Sequence, residues 1–144
     1  MATGDSVICG RGVLDSIAAH ALREAPRECC GLLIGASGRI DEAVPVQNRA
    51  ADPARRYQID PRDFLAAVRR CRGTSRAVVG AYHSHPRSSP DPSESDRADA
   101  FSNFLYVIAG HVAGDVLAPI RAYRLEHGNF RPIRLVTDAE EPET

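Results

Sequence analysis

An apolar run, Ala77-Val-Val-Gly-Ala-Tyr82, ends in His83-Ser-His85-Pro86, and Ser93-Glu-Ser-Asp96 follows a proline-rich connection. A run this short and apolar reads as a buried strand. Side chains alternate along a strand, so the two histidines project to one side and can share a metal ion. Ser93 and Asp96 stand three apart at what reads as a helix start, which puts both in the first turn. Strand end and helix start can then close around one cation. Neutral imidazole and carboxylate both suit zinc, and three protein ligands leave a fourth tetrahedral position for water. Each half also has an ordinary reading. A His-x-His pair is commonly surface or packing histidine, and Ser-x-x-Asp serves equally as a helix capping box. Ligand types alone also fit a mononuclear iron centre. A zinc nucleoside deaminase would need His-x-Glu and Pro-Cys-x-x-Cys, and the chain has neither.

A third stretch, Pro26-Arg-Glu28-Cys-Cys-Gly-Leu-Leu-Ile-Gly35, sets an acidic residue at the start of an apolar strand. A carboxylate there has no packing role and is costly if buried unpaired, so Glu28 is well placed to act as a base. Taken jointly, Glu28 before Gly-Leu-Leu-Ile-Gly, then His-x-His-Pro, then Ser-x-x-Asp, resembles the JAMM metalloprotease family, also called the MPN-plus or Mov34 domain. The resemblance covers essentially the whole chain. It implies that His83, His85 and Asp96 are zinc ligands, that Glu28 orients and deprotonates the bound water, and that Ser93 stabilises the oxyanion of the tetrahedral intermediate. No motif position departs from the family pattern. It further implies an α/β fold, with a curved mixed sheet flanked by helices in the cytidine-deaminase-like manner.

Length and composition agree with one ordinary domain: 144 residues, 43% apolar and 26% charged. A formal net charge of −1 argues against nucleic acid as the main partner. All the basic residues are arginine, so the chain has no side-chain amine for attachment of a ubiquitin-like modifier. Cys9, Cys29, Cys30 and Cys71 show no Cys-x-x-Cys spacing, no secretory signal precedes them, and no apolar run has membrane-span length. Reduced thiols in a cytoplasm are expected.

Along the chain, a short strand is expected at 6–9 and an amphipathic helix from Val13 to Ala25, stopped by Pro26, with His20 on its solvated face. Glu28–Ala36 and Arg39–Val46 form a hairpin about Ser37-Gly38, with Cys29 and Cys30 as space-filling thiols. The polar segment 47–57 offers no mechanism of its own, and the resemblance makes it a border of the substrate groove. Asp60-Pro61 opens a helix that buries Phe64, Leu65, Val68 and Cys71 and exposes Arg62, Arg69, Arg70 and Arg72. A helix from Ser93 to about Asn103, a central strand over 105–109 and a closing hairpin about His127-Gly128-Asn129 complete a domain of residues 1–136. Residues 137–144 read as a disordered acidic tail. His111 reads as structural, or as a support to the ligands rather than a further ligand.

These readings converge on a zinc metallopeptidase. By the resemblance it hydrolyses the amide or isopeptide bond after the C-terminal Gly-Gly of a ubiquitin-like protein, and the bare minimal domain resembles bacterial enzymes acting on sulfur carrier proteins. Arg87, two residues beyond His85, is expected to pair with a substrate carboxylate. A non-catalytic MPN-type binding scaffold is the competing expectation.

Overall fold

The structure, a computed structural model, describes residues 6–98, 104–111 and 119–137. Among these, strands β1 (Ser6–Cys9), β2 (Cys30–Ala36), β3 (Arg39–Val46), β4 (Ala77–Ser84), β5 (Leu105–Ala109), β6 (Ile120–Glu126) and β7 (Asn129–Thr137) form one mixed sheet. Its order is β1-β3-β2-β4-β5-β6-β7. β1 runs parallel to both β3 and β7 and so closes the sheet on itself. The expected mixed sheet is present, and the closure is an addition to it. β2 and β3 pair as a hairpin in which Gly38 takes φ 75°. At the β6–β7 turn, His127 and Gly128 both have positive φ, the conformation that matches strand twist in a two-residue hairpin loop. β7 takes in Asn129 and Thr137, one residue of the expected turn and the first of the expected tail. Residues 138–144 lie outside the described residues.

Strand alternation divides the core. Leu33, Tyr82, Leu105 and Val107 lie on the side covered by α1 (Arg11–Glu24), with Val13, Ile17 and Ala21 of that helix. Leu32, Ala81 and Tyr106 face the other way, toward α2 (Pro61–Cys71) and its Ala67. Each large aliphatic side chain so buried contributes about 1.5–3 kcal/mol of transfer free energy. α2 starts as its sequence dictates: Asp60 Oδ1 accepts the Arg62 backbone N–H at 2.9 Å, and proline occupies the first turn.

Three expectations change here. His20 is buried rather than solvated, because the Tyr82 phenol beneath α1 needs a partner away from water and finds His20 Nδ1 at 2.8 Å. Burial lowers the His20 pKa, so the ring is neutral. Leu65 is 44% exposed. The inward stripe of α2 runs through Phe64, Ala67, Val68 and Cys71, the i, i+3, i+4, i+7 positions, and Leu65 falls beside it. Nor is the arginine face merely solvated: Glu42 of β3 accepts from Arg70 at 2.6 Å and from Arg76 at 3.1 Å. No helix among the described residues is long and apolar enough to cross a membrane.

Candidate metal centre

β4 delivers the histidines. Ser84, between them, points to the opposite side and is fixed against the start of β2: its Oγ accepts the Cys29 N–H at 2.8 Å, and its N–H donates to the Cys29 carbonyl at 3.1 Å. The His85 N–H donates to the Ala109 carbonyl at 2.7 Å, extending the β4–β5 pairing past the strand end. His83 and His85 therefore share one side, and both are buried.

Asp96 reaches them from α3 (Glu94–Ala98), the described part of the helix expected to run to Asn103. Its Oδ2 accepts the Ser93 N–H at 2.8 Å, while Ser93 Oγ accepts the Asp96 N–H at 3.1 Å. This is the reciprocal capping arrangement with Asp in the usual Glu position. Capping and ligand readings thus coexist. The carboxylate that caps the helix also lies 3.1 Å from His83 Nε2 through Oδ1 and 3.1 Å from His85 Nε2 through Oδ2. The two Nε2 atoms are 3.2 Å apart.

The donor chemistry of this trio fits a cation. His85 Nδ1 lies 2.8 Å from the Ser89 carbonyl, which only accepts, so Nδ1 carries a proton. In neutral His85 the Nε2 lone pair then faces the Asp96 Oδ2 lone pairs at 3.1 Å, with His83 Nε2 at 3.2 Å. An added proton on His85 or a bound cation relieves that repulsion. Burial works against a charged His85, but the Asp96 carboxylate and the Ser89 carbonyl outweigh it and raise the pKa. For Asp96 the burial cost is outweighed by hydrogen bonds from both histidines, which hold the carboxyl far below its usual range. Burial lowers the His83 pKa. Two neutral-capable imidazoles and a firmly ionised carboxylate, with ligand atoms all within 4.8 Å of one another, make a candidate site for one divalent metal.

Glu28 lies beside this group. It sits just ahead of β2, whose Cys30 pairs with His83, and it lines a groove of about 480 Å³ with His85, Arg55, Arg87 and Ser93. The residue is 6% exposed, and Glu28 Oε1 is buried with no hydrogen-bond partner among the described residues. Burial, with His85 and Asp96 acting in opposite senses, pushes its pKa up to about 7. Ser93 is exposed at the groove, and its hydroxyl proton remains available because Oγ acts as acceptor toward Asp96. All five site residues read from the sequence are thus brought to one place.

His111 proves to be a brace. Its Nδ1 donates to the Pro86 carbonyl at 2.7 Å, and its backbone N–H donates to Ser88 at 2.8 Å, pinning the loop whose Ser89 carbonyl orients His85. Cys29 and Cys30 are free and buried, and burial pushes their thiols up to about 11 and about 12, which excludes them as nucleophiles near neutral pH. Sequence reasoning missed Tyr57, whose ring stacks on His83 with centroids 4.2 Å apart and planes at 18°. It also missed Asn48, whose side chain donates to the Glu28 carbonyl at 3.0 Å. An aromatic and an amide in a polar segment carry no periodic signal.

Fold and site together define the JAMM, or MPN, class of domain. Residues 10–126 match the model of prokaryotic homologs of the JAB domain, and the chain belongs to that family. Among its relatives, a desampylase of Haloferax volcanii is 39% identical over 101 residues, covering 65% of this chain and 73% of that protein. A Thermus thermophilus protein described as a probable TtuB-protein conjugate cleaving protease is 35% identical over 100 residues, covering 69% and 67%. The CysO-cysteine peptidase of Mycobacterium tuberculosis is 27% identical over 118 residues, covering 81% and 80%. The match to tail tip assembly protein K of Escherichia phage N15, 38% identical over 92 residues, takes in 64% of this chain but only 35% of that protein. In fold, the chain resembles a protein of Desulfitobacterium hafniense, with TM-score 0.80, 24% identity and 92% of each chain covered. It also resembles a JAB1/MPN domain protein of Archaeoglobus fulgidus, with TM-score 0.59, 23% identity and coverage of 92% and 100%.

Proposed function

We propose that the chain is a zinc-dependent metallopeptidase that hydrolyses the amide bond after the C-terminal Gly-Gly of a ubiquitin-like protein of the sulfur-carrier kind. The observation that carries this reading is the unpartnered, buried Glu28 carboxylate beside the His83, His85 and Asp96 ligand group. Zinc held by those three residues would supply an acidified water and an electrophile for the scissile carbonyl.

The remaining steps belong to the chain. Glu28 Oε1, free of other bonds, takes the proton from the attacking water and returns it to the departing amine nitrogen. The Ser93 hydroxyl donates to the carbonyl oxygen as it becomes negative. Burial of Glu28 itself, 6% exposed, limits competition from bulk water for its carboxylate. Arg87, exposed on the braced loop and lining the same groove, pairs with a carboxylate of the leaving group. Similarity to a desampylase, a probable TtuB-conjugate protease and a CysO-cysteine peptidase supports substrates of this class.

The test is mass spectrometry of Gly-Gly carriers, some with a C-terminal amino-acid extension and some joined to a lysine, before and after exposure to the zinc-loaded protein. Release of the appended group, abolished by a chelator and restored by zinc, is expected. Intact substrates throughout would overturn the assignment. For Arg87→Ala, a rise in KM for the extended carrier, of up to about tenfold for loss of a charge-assisted pair, is expected with little change in kcat. Unaltered kinetics would remove that role.

A further inference from the structure

The segment between β3 and α2, for which the sequence offers no mechanism, is tied to the metal centre at both ends. Asn48 uses its whole amide. Nδ2 donates to the Glu28 carbonyl at 3.0 Å and to the Arg56 carbonyl at 2.9 Å, while Oδ1 accepts the N–H groups of Ala50 at 2.9 Å and Gln58 at 3.1 Å. Two donors and two lone pairs are all that the group has, so it is fully committed. The Arg49 N–H donates to the Gln58 carbonyl at 2.9 Å, and Asn48 bridges Ile59. In the middle of the loop the Pro53 carbonyl accepts the Glu28 N–H at 2.7 Å. Glu28 is therefore held by both its backbone groups, and both partners lie in this one loop.

The same loop holds His83. With Nε2 turned toward Asp96 and His85, the ring must carry its proton on Nδ1 to offer a lone pair to a metal, and Nδ1 is buried with no acceptor. A ligating histidine is ordinarily oriented by a hydrogen bond from its other nitrogen. His83 has none. What lies against it is the Tyr57 ring, nearly parallel at 4.2 Å, whose loop also walls an apolar cavity with Ile59, Phe64 and Tyr106.

We propose that residues 48–57 form a positioning clip, in which Tyr57 fixes the plane of His83 by stacking and Asn48 fixes the backbone that carries Glu28. The inference rests on the metallopeptidase reading for the roles of His83 and Glu28. It adds the device that sets the distance between them, since one loop grips both. Asn48 and Tyr57 are positioning residues, with no contact to the reacting atoms required.

The test compares Tyr57→Phe, which keeps the plane, with Tyr57→Leu, which keeps apolar cover without it. Zinc affinity is measured by chelator competition and the His83 ring protons by NMR, with and without zinc. Tyr57→Phe should match the parent in both. Tyr57→Leu should bind zinc about tenfold more weakly, the lower end of what loss of a ligand's support costs, and its His83 ring signals should move downfield as the ring-current shielding disappears. A parental zinc constant with unmoved His83 signals in Tyr57→Leu would overturn the clip, whatever its melting temperature. If Tyr57→Leu does not fold, Tyr57→Met carries the same comparison. Asn48→Asp keeps size but sets a carboxylate against two carbonyls. It should retain zinc while kcat falls about tenfold or more through a displaced base. Parental kcat there would overturn the Asn48 half. Should zinc leave the His83 signals of the parent protein unchanged, the metal centre itself is misassigned, an outcome distinct from failure of the clip.

Discussion

Glu28 occupies a position unfavourable to its own charge. Its pKa stands at about 7 against an ordinary 4.5, with burial as the main cause. Between those values the folded metal-free chain keeps a proton that the unfolded chain has shed. The carboxyl's contribution to stability is therefore whole below the unfolded value and declines as pH rises through about 7. Glu28→Gln should consequently make the metal-free protein more stable at pH 8, by about 0.5–2 kcal/mol in denaturant unfolding, the range typical of single stabilising substitutions. The same variant should keep its zinc and lose about 10²- to 10⁴-fold in turnover. Near-parental activity would remove Glu28 as the base. In the active enzyme kcat/KM should climb with pH up to a plateau reached at or below about 7, because a bound cation can only lower the carboxyl's pKa. At this scale the sequence was legible where chemistry and local spacing coincide. His-x-His on a strand and Ser-x-x-Asp in a first turn are short-range patterns, and Glu28 stands out as a charge opening an apolar run. Tyr57, Asn48 and the buried His20 act through contacts with distant segments, and nothing adjacent to them in the chain marks that.

Strand alternation carries most of what the elements do. It turns His83 toward the metal side and Tyr82 toward α1 from neighbouring positions in β4. Gly31, opposite Tyr82 in β2, makes room for the aromatic ring, and a Cβ at that position would collide with it. Gly31→Ala should cost about 1–3 kcal/mol by overpacking. It should also disturb the His20–Tyr82 hydrogen bond, seen as a lower melting temperature together with altered near-ultraviolet dichroism of tyrosine. An unchanged melting temperature would mean that the ring relocates freely. β3 was legible at its start from the Ser37-Gly38 turn, and β6 from alternation between Pro119 and the His127-Gly128-Asn129 turn. α2 shows where that reasoning fails. A helical stripe drawn around four apolar residues included Leu65, and only the packing of Phe64 and Ala67 against the sheet fixes which way the stripe faces.

At the scale of the whole molecule, a curved mixed sheet with helices was expected, and closure of that sheet was not. Closure rests on β1, four residues long and paired on each side to a strand remote from it in sequence, β3 and β7. A strand so short, followed at once by a helix, gives no hint of its neighbours. Without it, β3 and β7 would each present a row of unsatisfied backbone donors and acceptors to water, and such borders recruit strands from other chains. A variant lacking residues 1–9 should therefore become a sticky, oligomer-forming species whose apparent mass in light scattering grows with concentration, while the intact chain shows no such β3–β7 templating. If the shortened form stays dispersed, β1 is dispensable. If it associates, four residues remote from the chemistry are what keep this domain from polymerising.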